Sequence, residues 1–358
     1  MSTDKFDWSH YKGNLDWLKN GTIFLCKAGS HAYGTNTPAS DLDIRGVAIP
    51  PLRYFYGFLN KFEQAEIKGD IDCVIYDIRK FVALATECNP NVIELLFTDE
   101  SDWLYPQEGD DFNWMRLYGI RDLFLTKAAR HRFSGYAYSQ LKRIKTHRSF
   151  LLQPRDRKPE RADFNLPEHS TIPKEEMGLI NSKVQKLEDV AGGLGATKGQ
   201  ILDEHLIHQA IDGIVSAALI PIVIAERKYG SAMREYVSYQ KWKTERNPAR
   251  AALEAQSGYD AKHGAHLVRL MRMCKEILEG KGCIVKRPDA EELLAIRNGA
   301  WSYDRLIEYA ASTDQLIESA YQTSKLPHGP DRVAIDRTLC ELVHWGNPHN
   351  HHPDLDGF

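Results

Sequence analysis

Two aspartates separated by a single residue, Asp41 and Asp43, are the side chains of this sequence best placed to do chemistry together. They open an apolar run that predicts a β-strand, and side chains two residues apart on a strand point to the same face. With only Leu42 between them, the two carboxylates repel each other unless a cation lies beside them. Paired carboxylates are typical ligands of hard divalent ions such as Mg²⁺, which also bind substrate phosphates.

A Gly-Ser pair, Gly29 and Ser30, lies upstream of the aspartates and directly follows an apolar stretch, Thr22 to Cys26, that predicts another strand. Glycine lets the backbone approach a ligand closely, and turn amides with a serine hydroxyl can bind phosphate oxygens. The alternative interpretation of the same residues is a hairpin turn with a Ser-Asp loop cap. The choice between them depends on what surrounds the pair.

The complete order is strand, Gly-Ser, ten residues, Asp-x-Asp and an apolar residue. This order resembles the signature of the DNA polymerase β-type nucleotidyltransferase superfamily. The wider sequence is most similar to the RlaP/YcgL-like group of stand-alone predicted nucleotidyltransferases of bacteria and phages, including the segments 258–263 and 267–273. The resemblance implies transfer of a nucleoside monophosphate (NMP) from a nucleoside triphosphate (NTP) to an acceptor hydroxyl. Two Mg²⁺ or Mn²⁺ ions, held by three carboxylates, are implied with it.

The third carboxylate is expected on a neighbouring strand. Residues 63–67 and 71–76 predict two strands joined by a turn at Lys68-Gly69-Asp70. Asp72 lies between Ile71 and Cys73, which matches the apolar-acid-apolar position of the family's third acid. Asp77 is the rival, although it precedes a helical pattern and is also a good helix N-cap.

Further binding residues are expected in the helical part of the chain. Residues 123–155 contain no acidic side chain and combine basic with aromatic residues, a composition suited to RNA or to a nucleotide, with Lys142 as a candidate phosphate ligand. The alternative is a helix with buried aromatics and solvated cations. Lys262, His266 and Arg269 share a helix face that could meet a triphosphate, with His263 beside it. Lys262 and His263 are the expected phosphate ligands there, because cations in a first helical turn oppose the helix dipole.

The whole chain predicts an α+β protein. A small mixed-sheet nucleotidyltransferase domain over residues 1–110 is expected to precede a mainly α-helical domain over residues 111–358, with a proline-rich exposed loop at about 152–177. A short helix is expected at 11–20, and separate helices at 203–227 and 232–243. The net charge of −3 and the 42% apolar content are those of an ordinary globular protein.

The cellular setting and the partners are predicted from the same features. No signal peptide or membrane span is expected, and the cysteines are expected to be core residues in a reducing cytoplasm. The histidines near the C-terminus are interpreted as a polar tail rather than a metal site. The expected partners are an NTP and RNA, such as tRNA or an RNA end under repair. A small-molecule or protein acceptor, or a non-catalytic RNA-binding protein with this fold, are the alternatives.

Overall fold

The computed structural model describes residues 6–68, 71–105, 112–193, 219–246 and 248–344. Its contacts divide the chain into two compact units, one formed by the residues up to Thr146 with those from Ala252 onward, the other by His147–Ala251. The predicted fold class is confirmed, because a small mixed sheet near the N-terminus is followed by a larger helical region. The predicted domain boundary near residue 110 falls within 106–111, outside the described ranges, and stays a prediction.

Five strands form one sheet with the order β3-β4-β2-β1-β5. Strands β2 and β4 are parallel, and the other neighbouring pairs are antiparallel. The predicted hairpin is confirmed as β3 and β4, whereas β5 was not expected, since three residues carry almost no periodic signal. The bounds are β1 Thr22–Ala28, β2 Leu42–Ala48, β3 Gln64–Ile67, β4 Ile71–Asp77 and β5 Trp103–Tyr105.

The two faces of the sheet belong to different hydrophobic clusters. Val47 of β2 belongs to the larger cluster, which the helices of the first unit share, whereas Ile44 and Ala48 belong to a smaller cluster on the other face. Because side chains alternate along a strand, Asp43 and Arg45 share the face of Val47. The chemistry-bearing residues of β2 therefore lie on the face that the helices cover.

Fourteen α-helices are found among the described residues. Short 3₁₀ helices occur at Trp8–His10, Glu100–Asp102, Arg121–Phe124 and Arg161–Phe164. The α-helices are α1 Leu18–Gly21, α2 Gly29–Tyr33, α3 Arg53–Tyr56, α4 Ile78–Thr86, α5 Pro90–Leu96, α6 Phe112–Gly119, α7 Ala129–Leu152, α8 Lys174–Gly193, α9 Ile220–Glu245, α10 Pro248–Ser257, α11 Ala261–Leu278, α12 Ala290–Arg297, α13 Tyr303–Thr323 and α14 Arg332–His344.

Side-chain caps fix the starts of three helices of the first unit. Asp77 accepts a hydrogen bond from the Arg79 amide and caps α4, as the sequence predicted. Asn89 caps α5, with Pro90 as its first residue. Asp260 accepts from two amides of the first turn and caps α11. Each cap satisfies helical amides that have no partner within the helix.

Two helix predictions were wrong in their bounds. The helix expected at 11–20 is reduced to α1, with the 3₁₀ turn Trp8–His10 before it, and Gly13 lies in the irregular stretch between them. The helices expected at 203–227 and 232–243 differ as well, because α9 runs without a break from Ile220 to Glu245 and includes Gly230. One glycine costs an interior helix about 1 kcal/mol, which the residues around it offset. Residues 203–218 lie outside the described residues.

The basic segment forms α7. Phe133 and Phe150 are buried, while Lys142, Arg143 and Lys145 are exposed. This distribution agrees with the alternative of buried aromatics and solvated cations, and the exposed cations leave nucleic-acid binding as a prediction.

Most side chains of the proline-rich loop are exposed, yet Leu166 and Ile172 are buried, so the loop has anchor points. Of the histidines near the C-terminus, His344 ends α14, and the others lie outside the described residues. None of the described helices is long and apolar enough to cross a membrane.

Candidate active site

Asp43 and Asp72 are direct neighbours on the parallel strands β2 and β4. Residues in register on adjacent strands carry their side chains on the same face, so the two carboxyl groups lie side by side. Asp41 precedes β2 by one residue, is exposed, and adds its charge to the surroundings of Asp43. The structure thus brings together the three carboxylates that the sequence singled out.

Asp77, the rival for the third acid, lies at the other end of β4. It pairs in register with Ala48, five residues beyond the pairing of Asp43 with Asp72, which corresponds to about 17 Å along the strand. Its side chain is buried, caps α4 and forms an ion pair of 2.6 Å with Arg79. The geometry places Asp72, and not Asp77, beside Asp43.

Gly29 lies against Asp43 where β1 ends and α2 begins. Its backbone has φ = +59°, a conformation that side chains with a Cβ rarely adopt. A Cβ at this position would also overlap Oδ2 of Asp43. The first residue of the Gly-Ser pair is therefore required to be glycine for two reasons, and one of them is the carboxylate itself.

Arg45 was missed by the sequence reasoning and lies between the two neighbouring carboxylates. Its guanidinium is 3.6 Å from Oδ1 of Asp43 and 3.5 Å from Oδ1 of Asp72. It also donates hydrogen bonds to the backbone oxygens of Ile44, at 2.8 Å, and Asp72, at 3.0 Å. The sequence could have indicated this contact, because residues 41, 43 and 45 are each two positions apart and their side chains are therefore expected on the same face of a strand.

Burial raises the pKa of Asp43 above its ordinary value. Arg45 and Lys262 oppose this shift, whereas Asp72 and Asp41 add to it. Lys262, in the first turn of α11, is thus close enough to act on the carboxylates electrostatically. Burial thus makes ionisation of Asp43 less favourable in the folded protein than in the unfolded chain, and a further cation would offset this effect.

The other candidates on α11 have different surroundings. His263 Nδ1 is 2.8 Å from Gln140 Oε1, and its Nε2 is 3.4 Å from Asp260, so both ring nitrogens have a side-chain neighbour. Burial, together with Arg269 and other cations, holds the pKa of His266 well below its usual range, so this imidazole is neutral at pH 7. Arg269, which the sequence placed on the same helix face, is buried and ion-paired with Glu94.

Ser30 and Lys142 complete the predicted set. Ser30 is the second residue of α2, and its carbonyl accepts a hydrogen bond of 2.9 Å from the Thr35 amide. Lys142 is exposed on α7, two residues after Gln140, the partner of His263. The phosphate-binding roles of both residues stay predictions.

The three carboxylates supply oxygen donors only, which is the donor chemistry of Mg²⁺ and Mn²⁺ rather than of zinc or copper. Because Gly29 has no side chain, Oδ2 of Asp43 is not obstructed from this position. The donor type of these residues, carboxylate oxygen, is therefore the one that a divalent-ion site requires.

Comparison with known proteins agrees with the family resemblance found in the sequence. Residues 9–154 match the family model RlaP, described as the RNA repair pathway DNA polymerase beta family. The chain is also similar to an uncharacterized 38.9 kDa protein of the nrdC-mobD intergenic region of enterobacteria phage T4, with 23% identity over 311 residues, which are 84% of this chain and 89% of the phage protein. No solved structure matches the chain.

Proposed function

We propose that the protein transfers an NMP from an NTP to an acceptor hydroxyl and releases pyrophosphate, because residues 9–154 match the RNA repair pathway DNA polymerase beta family. The observation that carries the proposal is the pairing of Asp43 with Asp72 beside the Gly29 backbone. In this arrangement three carboxylates and a close-approach glycine lie at the same end of three neighbouring strands, β4, β2 and β1. In a hairpin with only a structural role, the repulsion between these carboxylates would be destabilising.

Asp41, Asp43 and Asp72 would hold two divalent ions. When bound, Mg²⁺ or Mn²⁺ neutralises the phosphate charge and makes an acceptor hydroxyl more acidic. In the transfer, the acceptor oxygen forms a bond to the α-phosphorus while the bond from that phosphorus to the bridging oxygen of pyrophosphate breaks. Asp72, which is more exposed than Asp43, accepts the hydroxyl proton. Most of the remaining catalysis is positioning and charge neutralisation.

The phosphates of the NTP would lie between the α2 loop and the first turn of α11. The Gly29 amide and the Ser30 hydroxyl are donors for the β- and γ-phosphates. Lys262, in the first turn of α11, lowers the pKa of Asp43 and so acts on this carboxylate from the helical side. We assign His263 and Lys142 to the same phosphate-binding group, in which Gln140 orients His263.

RNA is the acceptor that we propose. Support comes from the description of the matched family as an RNA repair pathway family and from the exposed cations Lys142, Arg143 and Lys145 of α7. Contacts of this kind to a phosphate backbone weaken steeply as salt displaces them. A gel-shift titration at increasing salt should therefore show a strong fall in RNA affinity, and a weak salt dependence would favour a small-molecule or protein acceptor.

The direct test is incubation of the full chain with each α-labelled NTP and Mg²⁺ or Mn²⁺, with and without total RNA. Label on RNA supports the proposal in full. Label on the protein or on a small molecule keeps the transfer reaction and changes the acceptor. The absence of label with every nucleotide and acceptor would indicate a binding protein that uses this fold without turnover.

Two aspartate variants test the proposed site, and a third variant is the matched control. Asp43→Asn and Asp72→Asn should abolish transfer, and Asp43→Asn should leave the melting temperature equal or higher, because a disfavoured charge is removed. Asp77→Asn should retain transfer and lower the melting temperature, because the buried side chain at position 77 loses the charge that pairs with Arg79. Transfer that survives in Asp43→Asn and Asp72→Asn would refute the proposed site.

A further inference from the structure

Helix α2, which carries Gly29 and Ser30, is anchored by its last side chain. The Tyr33 hydroxyl donates a hydrogen bond of 2.5 Å to Oε2 of Glu94. The other carboxylate oxygen of Glu94 accepts from Arg269, also at 2.5 Å. The Arg269 guanidinium lies 3.7 Å from the centre of the Tyr33 ring. The three side chains therefore close a cycle of a hydrogen bond, an ion pair and a cation–π contact.

This cycle is buried, with Tyr33, Glu94 and Arg269 exposing 8%, 6% and 3% of their surface. Burial raises the pKa of Tyr33 well above its usual range, so the phenol keeps its proton and remains a donor to Glu94. A buried charge that loses its partner is strongly unfavourable, so each member of the cycle depends on the other two. Such a network has one favourable arrangement and holds its members in it.

The backbone beyond Tyr33 is held from the same side. The Arg287 amide donates to the Tyr33 carbonyl at 3.1 Å, and Arg297 Nη1 donates to the Thr35 carbonyl at 3.2 Å. Arg269, Arg287 and Arg297 all come from the last third of the chain, outside the residues 9–154 that match the family model. The loop after β1 thus receives its support from α11, α12 and the segment between them, about 240 to 260 residues further along the chain.

We propose that Tyr33, Glu94 and Arg269 are positioning residues that hold Gly29 and Ser30 against Asp43 for binding of the nucleotide phosphates. The helices after Ala252 then complete the nucleotide site rather than only covering the sheet. This inference rests on the proposed transfer reaction for its functional consequence. Its structural part, the anchoring of the loop, can be measured without any activity.

The test compares hydrogen exchange of the Gly34 and Thr35 amides in the full chain and its variants. Both amides donate back to α2, to the carbonyls of His31 and Ser30. Tyr33→Phe keeps the ring beneath Arg269 and removes only the hydroxyl. A hydrogen bond to a buried charge accounts for a factor of about ten in a local equilibrium, so these amides should exchange about tenfold faster. Glu94→Gln should have a larger effect, since it leaves Arg269 without its counter-charge.

The control is Tyr309→Phe. Tyr309 accepts a hydrogen bond of 2.9 Å from Arg272, which lies on the same helix as Arg269, and the change likewise removes one phenolic hydroxyl. It should leave exchange in the α2 loop unchanged. Equal exchange at Gly34 and Thr35 in Tyr33→Phe and Tyr309→Phe would overturn the inference.

Steady-state kinetics then separate positioning from general destabilisation. Tyr33→Phe should raise KM for the NTP about tenfold with a smaller change in kcat, whereas Tyr309→Phe should change neither. If the loop exchanges faster but the wild type transfers no NMP to any acceptor, the anchoring stands and the proposed function fails. If the wild type is active and KM is unchanged in Tyr33→Phe, the positioning role fails and the proposed function stands.

Discussion

At the scale of single residues, Arg45 changes how the carboxylate site is understood. Two backbone carbonyls hold its guanidinium in place, and Asp43 and Asp72 lie on either side of it. Arginine keeps its charge at every physiological pH. The protein therefore carries a permanent counter-charge where the proposed divalent ions would bind, and this charge stabilises the carboxylates while it opposes the metal.

Arg45→Gln should bind Mn²⁺ more tightly in the absence of nucleotide, by about tenfold, because one fixed positive charge near the carboxylates is removed. The metal-free variant should also melt at a lower temperature, since the repulsion between Asp43 and Asp72 is no longer compensated. Titration with Mn²⁺ followed by electron paramagnetic resonance measures the affinity, and thermal melts in EDTA measure the stability.

The control for this prediction is Arg132→Gln. Arg132 pairs with Glu87 and is about half exposed, so its loss should leave Mn²⁺ affinity unchanged. Equal Mn²⁺ affinity in Arg45→Gln and the wild type would show that the guanidinium does not oppose the metal.

At the scale of elements, the passage from β1 into α2 decides whether the site can form. Gly29 is the first residue of α2 and Gly34 directly follows its last residue, and both have positive φ. They differ in what a side chain would meet. At Gly29 a Cβ would overlap the Asp43 carboxylate, whereas at Gly34 it would meet Ala290 Cβ at an ordinary 3.8 Å.

Gly29→Ala should therefore lose stability and Mn²⁺ binding together, since the strained φ is accompanied by displacement of the Asp43 side chain. Gly34→Ala should lose only about 1–2 kcal/mol of stability from the backbone strain and retain Mn²⁺ binding. Chemical denaturation and the Mn²⁺ titration check both results. Loss of Mn²⁺ binding in both variants to the same extent would indicate that general loosening of the loop, rather than contact with Asp43, is responsible.

At the scale of the whole molecule, the unit His147–Ala251 has a hydrophobic cluster of its own. Ile180 is fully buried there, with Ile220 and Val223 among its neighbours in the cluster. The preceding residue, Leu179, leaves 62% of its surface exposed on the same helix. Adjacent positions of α8 thus offer a core substitution and a matched surface substitution.

Ile180→Ala should lower protection of the α8 amides by about 2–5 kcal/mol, the usual effect of truncating a buried isoleucine. Leu179→Ala should change it by less than about 0.5 kcal/mol. Native-state hydrogen exchange should show the strand amides of β1 and β2 unaffected in both variants. An equal loss of protection in the sheet would indicate that the two units unfold as one cooperative structure.

Much of the fold and part of the site could be predicted from local patterns. Alternation and turn residues located β1, β2 and the β3–β4 hairpin, and the N-cap interpretation of Asp77 was correct because capping depends on adjacent residues. The alternation of side chains that places Asp41 and Asp43 on one strand face also places Arg45 there, and the sequence reasoning missed it. Helix bounds were less accurate, as α9 shows, because a glycine that breaks a pattern need not break a packed helix.

The sequence by itself determined the composition of this protein's candidate site: a Gly-Ser turn, an aspartate pair on one strand face, and a further acid in a nearby hairpin. These features depend on spacings of a few residues, which fix local geometry. Only the tertiary structure decided that Asp72 pairs with Asp43, that Arg45 lies between them, and that Arg269 holds Tyr33 through Glu94. Contacts between residues 175 positions apart, such as Glu94 and Arg269, arise when distant helices pack, and no local periodicity encodes that packing.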